Sequence, residues 1–340
     1  MSYHFKNLVF EGGGVKGIAY VGALQVLKEK GILPNIQRIG GTSVGAINAV
    51  LLAMGYTQAE QRDILRKLDF NNFLDSSWLF PNINRLLTRY GWYKGNAFQE
   101  WISDLIKNKM GTAGASFQDL REAQKPDLYV YGTNLSTHFS EIFSVEHTPK
   151  MPIADAIRIS MSIPLFFQSI LNSRKDVFVD GGVLDNYPIK LFDREKYIDP
   201  DKLITNGVKR DYYIDQNKKF LQEHPDRSPY IYNRETLGFR LDTRQEIAAF
   251  RYNEPQVEKI DHIFEYIQAL IKTLLESQNS SHLHSDDWQR TIYIDTLGIP
   301  STDFGIFNEK KQQLEESGLK GTTEYFKWFD DPGNQPVNRP

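Results

Sequence analysis

A serine lies between two glycines in the sequence GTSVG at residues 41–45. A short apolar run precedes it and an apolar helical pattern follows, so the serine is predicted at a strand–turn–helix junction. Glycines permit the sharp turn, which would hold Ser43 at the positive amino end of the helix. Such a serine can act as a nucleophile. The alternative is a glycine-rich turn with an incidental serine, and the flanking elements favour the nucleophile.

A glycine-rich segment, GGGVKG at residues 12–17, also falls between a predicted strand and a predicted helix. It matches G-x-G-x-x-G, the turn that binds dinucleotide pyrophosphates. That function expects an acid about 20 residues further on. Residues 34–38 contain none, although Arg38 leaves room for a 2′-phosphate. A second interpretation is an oxyanion hole, because consecutive glycines let backbone N–H groups approach a tetrahedral intermediate. A third is glycines that only allow close helix–strand packing.

The third segment is DGG at residues 180–182, directly after the apolar run 177–179. If this strand is parallel to its neighbours, its carboxyl end meets the sheet edge that carries Ser43. This is the edge at which parallel sheets place their functional sites. Taken alone, an Asp–Gly turn is the more common explanation of this sequence.

The elements that must position these segments alternate along the chain. Apolar runs predict strands at 8–10, 36–39, 128–133, 141–145 and 177–179. Helical apolar spacing predicts helices over 18–27, 44–54, 155–161 and 257–275, and residues 56–125 are predicted to be mainly helical and aromatic. This alternation predicts an α/β fold with a mostly parallel central sheet covered on both faces, a three-layer α/β/α arrangement.

The composition excludes several classes of function. The chain has 340 residues, with 40 Lys and Arg against 43 Asp and Glu, giving a net charge of -3. A nucleic-acid-binding protein usually shows a basic excess, so nucleic acid is not an expected partner. The absence of cysteine excludes disulfides, a cysteine nucleophile and thiolate metal sites. The pair His282 and His284 is too sparse to predict a metal site.

The longest apolar stretch covers residues 46–54, far short of the roughly 20 residues that span a bilayer. No charged and apolar signal sequence precedes the first predicted strand. The protein is therefore expected to be cytoplasmic, and peripheral contact with membranes is compatible with this location. Export by a route that needs no signal sequence stays open. An aromatic set could enter lipid headgroups or, as is more common, pack inside the protein; it consists of Trp78, Leu79, Phe80, Trp92 and Tyr93.

Together the three segments resemble the patatin-like phospholipase family, whose pattern is G-G-G-x-[KR]-G, then G-x-S-x-G, then D-G-[GA]. Less specific similarity continues at 131–135, 158–167, 186–188, 235–239 and 294–296. The resemblance covers most of residues 6–327, which are expected to form one domain with a motif core at 6–190 and an elaborated part at 191–327. Residues 328–340 are expected to be a loose tail. Glu11 departs from the family pattern, but an oxyanion hole uses backbone groups.

The resemblance implies a patatin-like fold and a lipid acyl hydrolase that cleaves phospholipid or lysophospholipid esters without metal or organic cofactor. Ser43 would attack the ester carbonyl, and Asp180 would accept its proton and later activate water, without a catalytic histidine. Glycine N–H groups would bind the oxyanion. The implied oxyanion residues are Gly12, Gly13 and Gly14, and the other motif residues are Lys16, Gly17, Gly41, Gly45, Gly181 and Gly182.

A physical reason accompanies the role of Asp180. Partial burial would raise the pKa of Asp180 and make its carboxylate a better base. Lys16 could attract a lipid phosphate or be a solvated lysine.

The expected partners are the lipid substrate and a peripheral membrane surface, and a regulatory partner stays open. Three alternatives also stay open: a Ser–His–Asp esterase, an NADP-binding oxidoreductase and a non-catalytic lipid-binding signalling module.

Overall fold

Twelve strands and ten α-helices occur in the described part of the computed structural model, which covers residues 3–73, 79–242, 286–301, 303 and 305–340, with isolated positions between 260 and 273. The strands are β1 (Asn7–Phe10), β2 (Arg38–Gly41), β3 (Gly91–Tyr93), β4 (Asp127–Asn134), β5 (Phe139–Ser144), β6 (Leu165–Phe167), β7 (Ile170–Leu171), β8 (Val177–Asp180), β9 (Gly207–Val208), β10 (Tyr232–Asn233), β11 (Thr236–Asp242) and β12 (Thr291–Asp295). The helices are α1 (Ala19–Glu29), α2 (Val44–Ala53), α3 (Gln58–Lys67), α4 (Leu79–Arg89), α5 (Asn96–Met110), α6 (Phe117–Glu122), α7 (Ile153–Ser160), α8 (Leu203–Asn206), α9 (Asp211–Glu223) and α10 (Asn308–Asp330).

Most of the predicted elements are present within a few residues of their expected bounds. The predicted helix at 257–275 lies almost entirely outside the described residues, as do Trp78, His282 and His284. The fold also contains short 3₁₀ turns that the apolar pattern did not predict. These are Gly14–Ile18, Leu33–Asn35, Phe70–Phe73, Gly181–Val183, Ile189–Phe192, Glu195–Tyr197, Pro200–Lys202 and Asp286–Arg290.

The central sheet has eight strands in the order β12-β11-β1-β2-β4-β8-β7, with β5 paired to β4. The strands from β12 to β4 are parallel to one another, which confirms the predicted mostly parallel sheet. The expectation that the strand before Asp180 is also parallel is wrong. β8 runs antiparallel to β4, and it follows β7 through a hairpin, whereas a parallel strand would need a helical crossover.

Alternate residues of β1 enter the two layers that cover the sheet. Leu8 and Phe10 belong to the large core beneath the helices, which includes α1, α2 and α7. Val9 faces the opposite side and packs with Phe192 in a smaller core that the 3₁₀ turns Ile189–Phe192 and Glu195–Tyr197 supply. The predicted three-layer α/β/α fold is therefore confirmed, with one outer layer built partly from short turns.

The long helix α10 packs against α1 with almost no space between the two backbones. A Cβ atom added to Gly22 would lie 1.9 Å from the carbonyl oxygen of Glu315, and one added to Gly318 would lie 1.9 Å from that of Ala19. Only glycine fits at either position. The first and last helices of the fold are thus in direct contact.

The expectation of a loose tail at 328–340 is wrong for much of the segment. Helix α10 continues to Asp330. Asn338 is buried and donates to the Tyr325 hydroxyl at 3.0 Å. The Arg339 guanidinium lies 5.2 Å from the centre of the Phe329 ring. Because these contacts return the last residues to α10, the segment is tied down despite its proline- and glycine-rich sequence.

A buried ion cluster joins the 3₁₀ turn Asp286–Arg290 to the residue that follows the 3₁₀ turn Ile189–Phe192. The Arg290 guanidinium binds both carboxyl oxygens of Asp193, at 2.6 and 2.7 Å, and Asp287 at 2.6 Å. All three side chains are buried. The cluster is fully paired, and removing one member would leave a charge without compensation in a site closed to water.

Replacing Arg290 by methionine is therefore expected to lower the free energy of unfolding by about 3–5 kcal/mol. Urea denaturation measures this change. The control is Arg174→Met, which breaks an exposed ion pair with Asp176 and should cost less than about 1 kcal/mol. Equal losses in the two variants would contradict the assigned role of the buried cluster.

Candidate active site

Ser43 occupies the predicted strand–turn–helix junction between β2 and α2. Its backbone is left-handed, with φ 54° and ψ -128°, a strained conformation for a residue with a side chain. A Cβ atom on Gly41 would lie 2.5 Å from the Gly45 carbonyl, and one on Gly45 would lie 2.4 Å from the Phe10 oxygen. The two glycines therefore let the chain reverse tightly enough to hold the serine at the start of the helix.

Asp180 ends β8 opposite Gly132 on β4, and this pairing brings it to Ser43 even though its strand is antiparallel. Its Oδ1 atom accepts the Gly182 N–H at 2.7 Å. Burial raises the pKa of Asp180 to about 7, and the Gly182 amide and the Ser43 hydroxyl offset only part of that rise. The carboxyl group is thus poised to exchange a proton near neutral pH.

The serine hydroxyl is close to this carboxyl group but is directed elsewhere in the structure. Ser43 Oγ lies 3.6 Å from the Met161 sulfur, and Asp180 Oδ2 has no hydrogen-bond partner among the described residues. Both side chains are buried. The Ser43 hydroxyl nevertheless lies near enough to the carboxyl group of Asp180 to lower its pKa, so the two groups are neighbours in a buried site.

Residues 160–162, at the end of α7, hold both groups. The Ser160 hydroxyl accepts the Ser43 N–H at 2.9 Å, and the Ser162 carbonyl accepts the Asp180 N–H at 2.8 Å. Ser160 is fully buried. No role for Ser160 was predicted from the sequence. Its only signal is an SMS sequence between a helix and a proline, which does not reveal a contact more than 100 residues away.

Ser160→Ala is expected to lower kcat about 10-fold with little change in KM, because the buried Ser43 N–H loses its acceptor and the strained turn loses a restraint. Steady-state kinetics and the rate of covalent inactivation by a fluorophosphonate should fall together. Ser116→Ala is the control, since Ser116 caps α6 through a similar side-chain contact. It should cost about 1 kcal/mol of stability and leave kcat unchanged. Equal kinetics for both variants would contradict a positioning role.

The glycine segment approaches Ser43 but does not offer all the N–H groups that were expected. A Cβ atom on Gly12 would lie 3.1 Å from that of Ser43. The Gly12 N–H, however, donates to the Asn186 carbonyl at 3.1 Å, so the prediction of Gly12 as an oxyanion donor does not hold in this structure. The N–H groups of Gly13 and Gly14 have no acceptor within the described residues.

The other glycines of the motifs are needed for close packing around the two groups. Gly14 has φ +55°, and a Cβ atom there would lie 2.0 Å from the Ser301 oxygen. One on Gly17 would lie 2.4 Å from Val44, and one on Gly181 would lie 2.5 Å from the Tyr131 oxygen. Lys16 is partly exposed next to this loop.

Buried hydrogen bonds from Glu11 and Asn186 hold the glycine segment in place. The Asn186 amide donates to the Gly12 carbonyl at 3.3 Å and to Glu11 Oε1 at 3.4 Å, and Glu11 Oε2 accepts the Leu241 N–H at 2.6 Å. Burial raises the pKa of Glu11 to about 8, against the effect of the nearby Arg240. The departure from the family pattern at residue 11 therefore adds an anchor for the loop.

Similar proteins show the family to which this chain belongs. The patatin-like phospholipase family matches residues 8–193. An uncharacterised Bacillus subtilis protein, YqhO, is 30% identical over 94% of this chain and 97% of its own length. A probable lipid hydrolase of Invertebrate iridescent virus 6 is 29% identical over 55% of this chain and 63% of its own length. The crystal structure of VipD from Legionella pneumophila has a TM-score of 0.58 at 19% identity, over 96% of this chain and 67% of that protein.

The chain belongs to the patatin-like phospholipase family. It is a lipid acyl hydrolase, and the glycine-rich segment is not evidence for a dinucleotide-dependent oxidoreductase. Across the described ranges, no helix combines the length and the apolar character that spanning a bilayer requires. In the same ranges no three acidic or histidine side chains converge as metal ligands would.

Proposed function

We propose that the protein hydrolyses fatty-acyl esters of phospholipids or lysophospholipids through a dyad of Ser43 and Asp180. The observation that supports this most strongly is a strained serine beside a buried carboxyl group whose pKa is about 7. A carboxylate near its ordinary pKa of about 4 is a weak base toward a hydroxyl group. A raised pKa brings the base close to the pH at which it must work.

In the first half of the reaction, Asp180 Oδ2 accepts the proton of the Ser43 hydroxyl as Oγ attacks the ester carbonyl. The carbonyl oxygen becomes an oxyanion, and the N–H groups of Gly13 and Gly14 are the donors available to it. The amino end of α2 adds a favourable electrostatic potential. The tetrahedral intermediate then collapses, the proton on Asp180 passes to the leaving alcohol, and the acyl group stays on Ser43.

In the second half, Asp180 removes a proton from a water molecule, and the resulting hydroxide attacks the acyl carbonyl. Collapse of the second tetrahedral intermediate returns the proton to Ser43 Oγ and releases the fatty acid. Each step uses the same carboxyl group, first as base and then as acid. No other titratable side chain is required for proton balance.

The alternative of a Ser–His–Asp triad lacks support among the described residues. None of the four described histidines contacts Ser43 or Asp180. The one serine–histidine pair in this part of the chain joins Ser144 Oγ and His147 Nδ1 at 2.8 Å. Ser144 ends a strand without a glycine turn, and its hydroxyl also accepts the Glu146 N–H at 3.2 Å.

The test is lipid mass spectrometry after incubation with a total lipid extract in H₂¹⁸O. The expected products are free fatty acids carrying one ¹⁸O atom and the corresponding deacylated lipids, because water attacks the acyl carbonyl. Ser43→Ala, processed in parallel, should give neither product. Release of head groups from lipids that keep their acyl chains would contradict the proposal. Release of fatty acids by Ser43→Ala would contradict it as well.

A further inference from the structure

Two segments of this slightly acidic chain contain no acidic residue. Residues 76–99 and 156–175 have no Asp or Glu and six Lys or Arg, so the rest of the chain carries nine more acids than bases. Both segments are also rich in apolar and aromatic residues. Such a composition differs from the alternating charges of an ordinary solvated surface.

The fold brings these two segments together on one side of the molecule. Strand β3 pairs with β6, with Gly91 opposite Leu165, and the Ser169 N–H donates to the Arg89 carbonyl at 3.1 Å. Residue 165 lies three residues after Ser162, whose carbonyl holds Asp180. Three residues of chain span at most about 11 Å, so this region adjoins the active site.

Large apolar side chains are exposed where the segments meet. Leu87 is 73% exposed, Tyr90 52%, Leu171 41% and Leu165 38%. The exposed Arg89 and Lys175 lie beside them in the sequence. These six residues are called the docking surface below.

The backbone of the docking surface is strained at three of its residues. Tyr90, Leu165 and Lys175 have φ values of 62°, 65° and 66°, although none is glycine. Such a conformation is unfavourable for a residue with a side chain and persists only where the surrounding structure enforces it. Holding two apolar side chains and one cation on an exposed face therefore lowers the stability of the fold.

Not every cation of the two segments is available to a partner. The guanidinium of Arg85 donates to the Trp92 carbonyl, and that of Arg158 to the Ser162 hydroxyl, so both serve the interior. Arg174 is paired with Asp176. Arg89 and Lys175 have no ion pair among the described residues.

We propose that the docking surface seats the protein on an anionic phospholipid bilayer, with Leu87, Tyr90, Leu165 and Leu171 entering the headgroup region and Arg89 and Lys175 facing lipid phosphates. Apolar burial and attraction to anionic lipid are the two contributions that hold a peripheral protein at an interface. The proposal rests on the proposed function, because a lipid substrate is what places a bilayer next to the active site. The docking surface is therefore where the enzyme contacts its lipid substrate in aggregated form.

The test measures binding to vesicles of phosphatidylcholine alone and of phosphatidylcholine with phosphatidylserine in a 3:1 ratio. All variants carry Ser43→Ala, so that the lipid is not consumed. Leu87→Ser/Tyr90→Ser is expected to weaken binding at least 10-fold. The matched control is Ile204→Ser, which removes a 95% exposed side chain from α8, and its binding should stay within twofold.

Charge is tested by Arg89→Gln/Lys175→Gln, which should lower binding to the anionic vesicles about 10-fold or more and abolish their advantage over phosphatidylcholine. The matched control is Lys67→Gln/Lys218→Gln, which neutralises two exposed lysines elsewhere. Wild-type binding by either double variant of the docking surface would overturn the proposal. Equal binding of the unaltered docking surface to both kinds of vesicle would also overturn it.

A separate readout distinguishes this proposal from the proposed function. With Ser43 intact, docking variants should hydrolyse a water-soluble monomeric ester at the wild-type rate while losing activity on vesicles. Vesicle binding that depends on the docking surface, without any ester hydrolysis, would leave the surface standing and refute the dyad. Ester hydrolysis with docking variants as active on vesicles as wild type would refute the surface alone.

Discussion

Asp180→Asn is expected to lower turnover of a lipid ester by about 10²–10⁴-fold, the usual cost of losing a general base. Asparagine keeps the shape of the side chain and its contact with the Gly182 N–H. It cannot accept the Ser43 proton. Steady-state assays on one phospholipid, with equal amounts of folded protein, measure the loss.

The pH dependence of wild-type turnover follows from the same group. The base must be ionised, and burial raises the pKa of Asp180 to about 7. Activity should therefore rise as the pH increases through about 7. The control is Asp185→Asn, because burial also raises the pKa of Asp185 to about 7 but its carboxylate has no assigned role. That variant should keep both the rate and the rising limb, and a lost limb in Asp185→Asn would contradict the assignment.

Stability should move in the opposite direction to activity. A carboxyl group whose pKa is raised by folding favours the folded state at low pH, and this contribution is lost as the pH rises from about 4 through 7. Asp180→Asn removes the ionising group, so its Tm should exceed that of the wild type by an amount that grows as the pH rises from about 4 through 7 and then stays constant. A lower Tm at pH 8 would show that the loss of turnover reflects damage to the fold.

Ser43→Ala is expected to have the largest effect of all, with turnover at background, about 10⁶-fold below wild type, since the acyl group has no other acceptor. A fluorophosphonate probe should label the wild type at Ser43 and leave the variant unlabelled. Ser144→Ala is the matched control, because Ser144 is the serine paired with a histidine in the described residues. It should retain full labelling. Labelling that survives in Ser43→Ala but not in Ser144→Ala would move the nucleophile to Ser144.

Local features of the site were predictable from the sequence. The junction at Ser43 needs glycines at 41 and 45 and apolar runs on either side, and all of these signals lie within about a dozen residues. The direction of β8 was not predictable, because it depends on a two-residue strand and a hairpin. Asp180 reaches Ser43 through its pairing with Gly132 and not through a parallel crossover.

The rest of the site depends on contacts between distant parts of the chain. The Gly12 N–H is occupied because the loop after residue 182 places the Asn186 carbonyl against it. Ser160 acquires its role only when α7 meets the start of α2. The terminal segment was judged from its composition, which is typical of loops, and Asn338 nevertheless finds a buried partner on α10. A single sequence carries no pattern for pairings of this kind.

The close approach of α1 and α10 has a consequence for synthesis on the ribosome. The backbone neighbour of Gly22 at residue 315 emerges from the ribosome nearly 300 residues after Gly22 itself. The same holds for the glycine segment, where the Val15 N–H donates to the Ser301 carbonyl at 3.1 Å. A nascent chain can therefore display all three motifs while lacking the partners that shape the glycine segment. The three motifs alone do not complete this region, because the Ser301 carbonyl that holds the glycine segment lies more than 100 residues beyond the last motif.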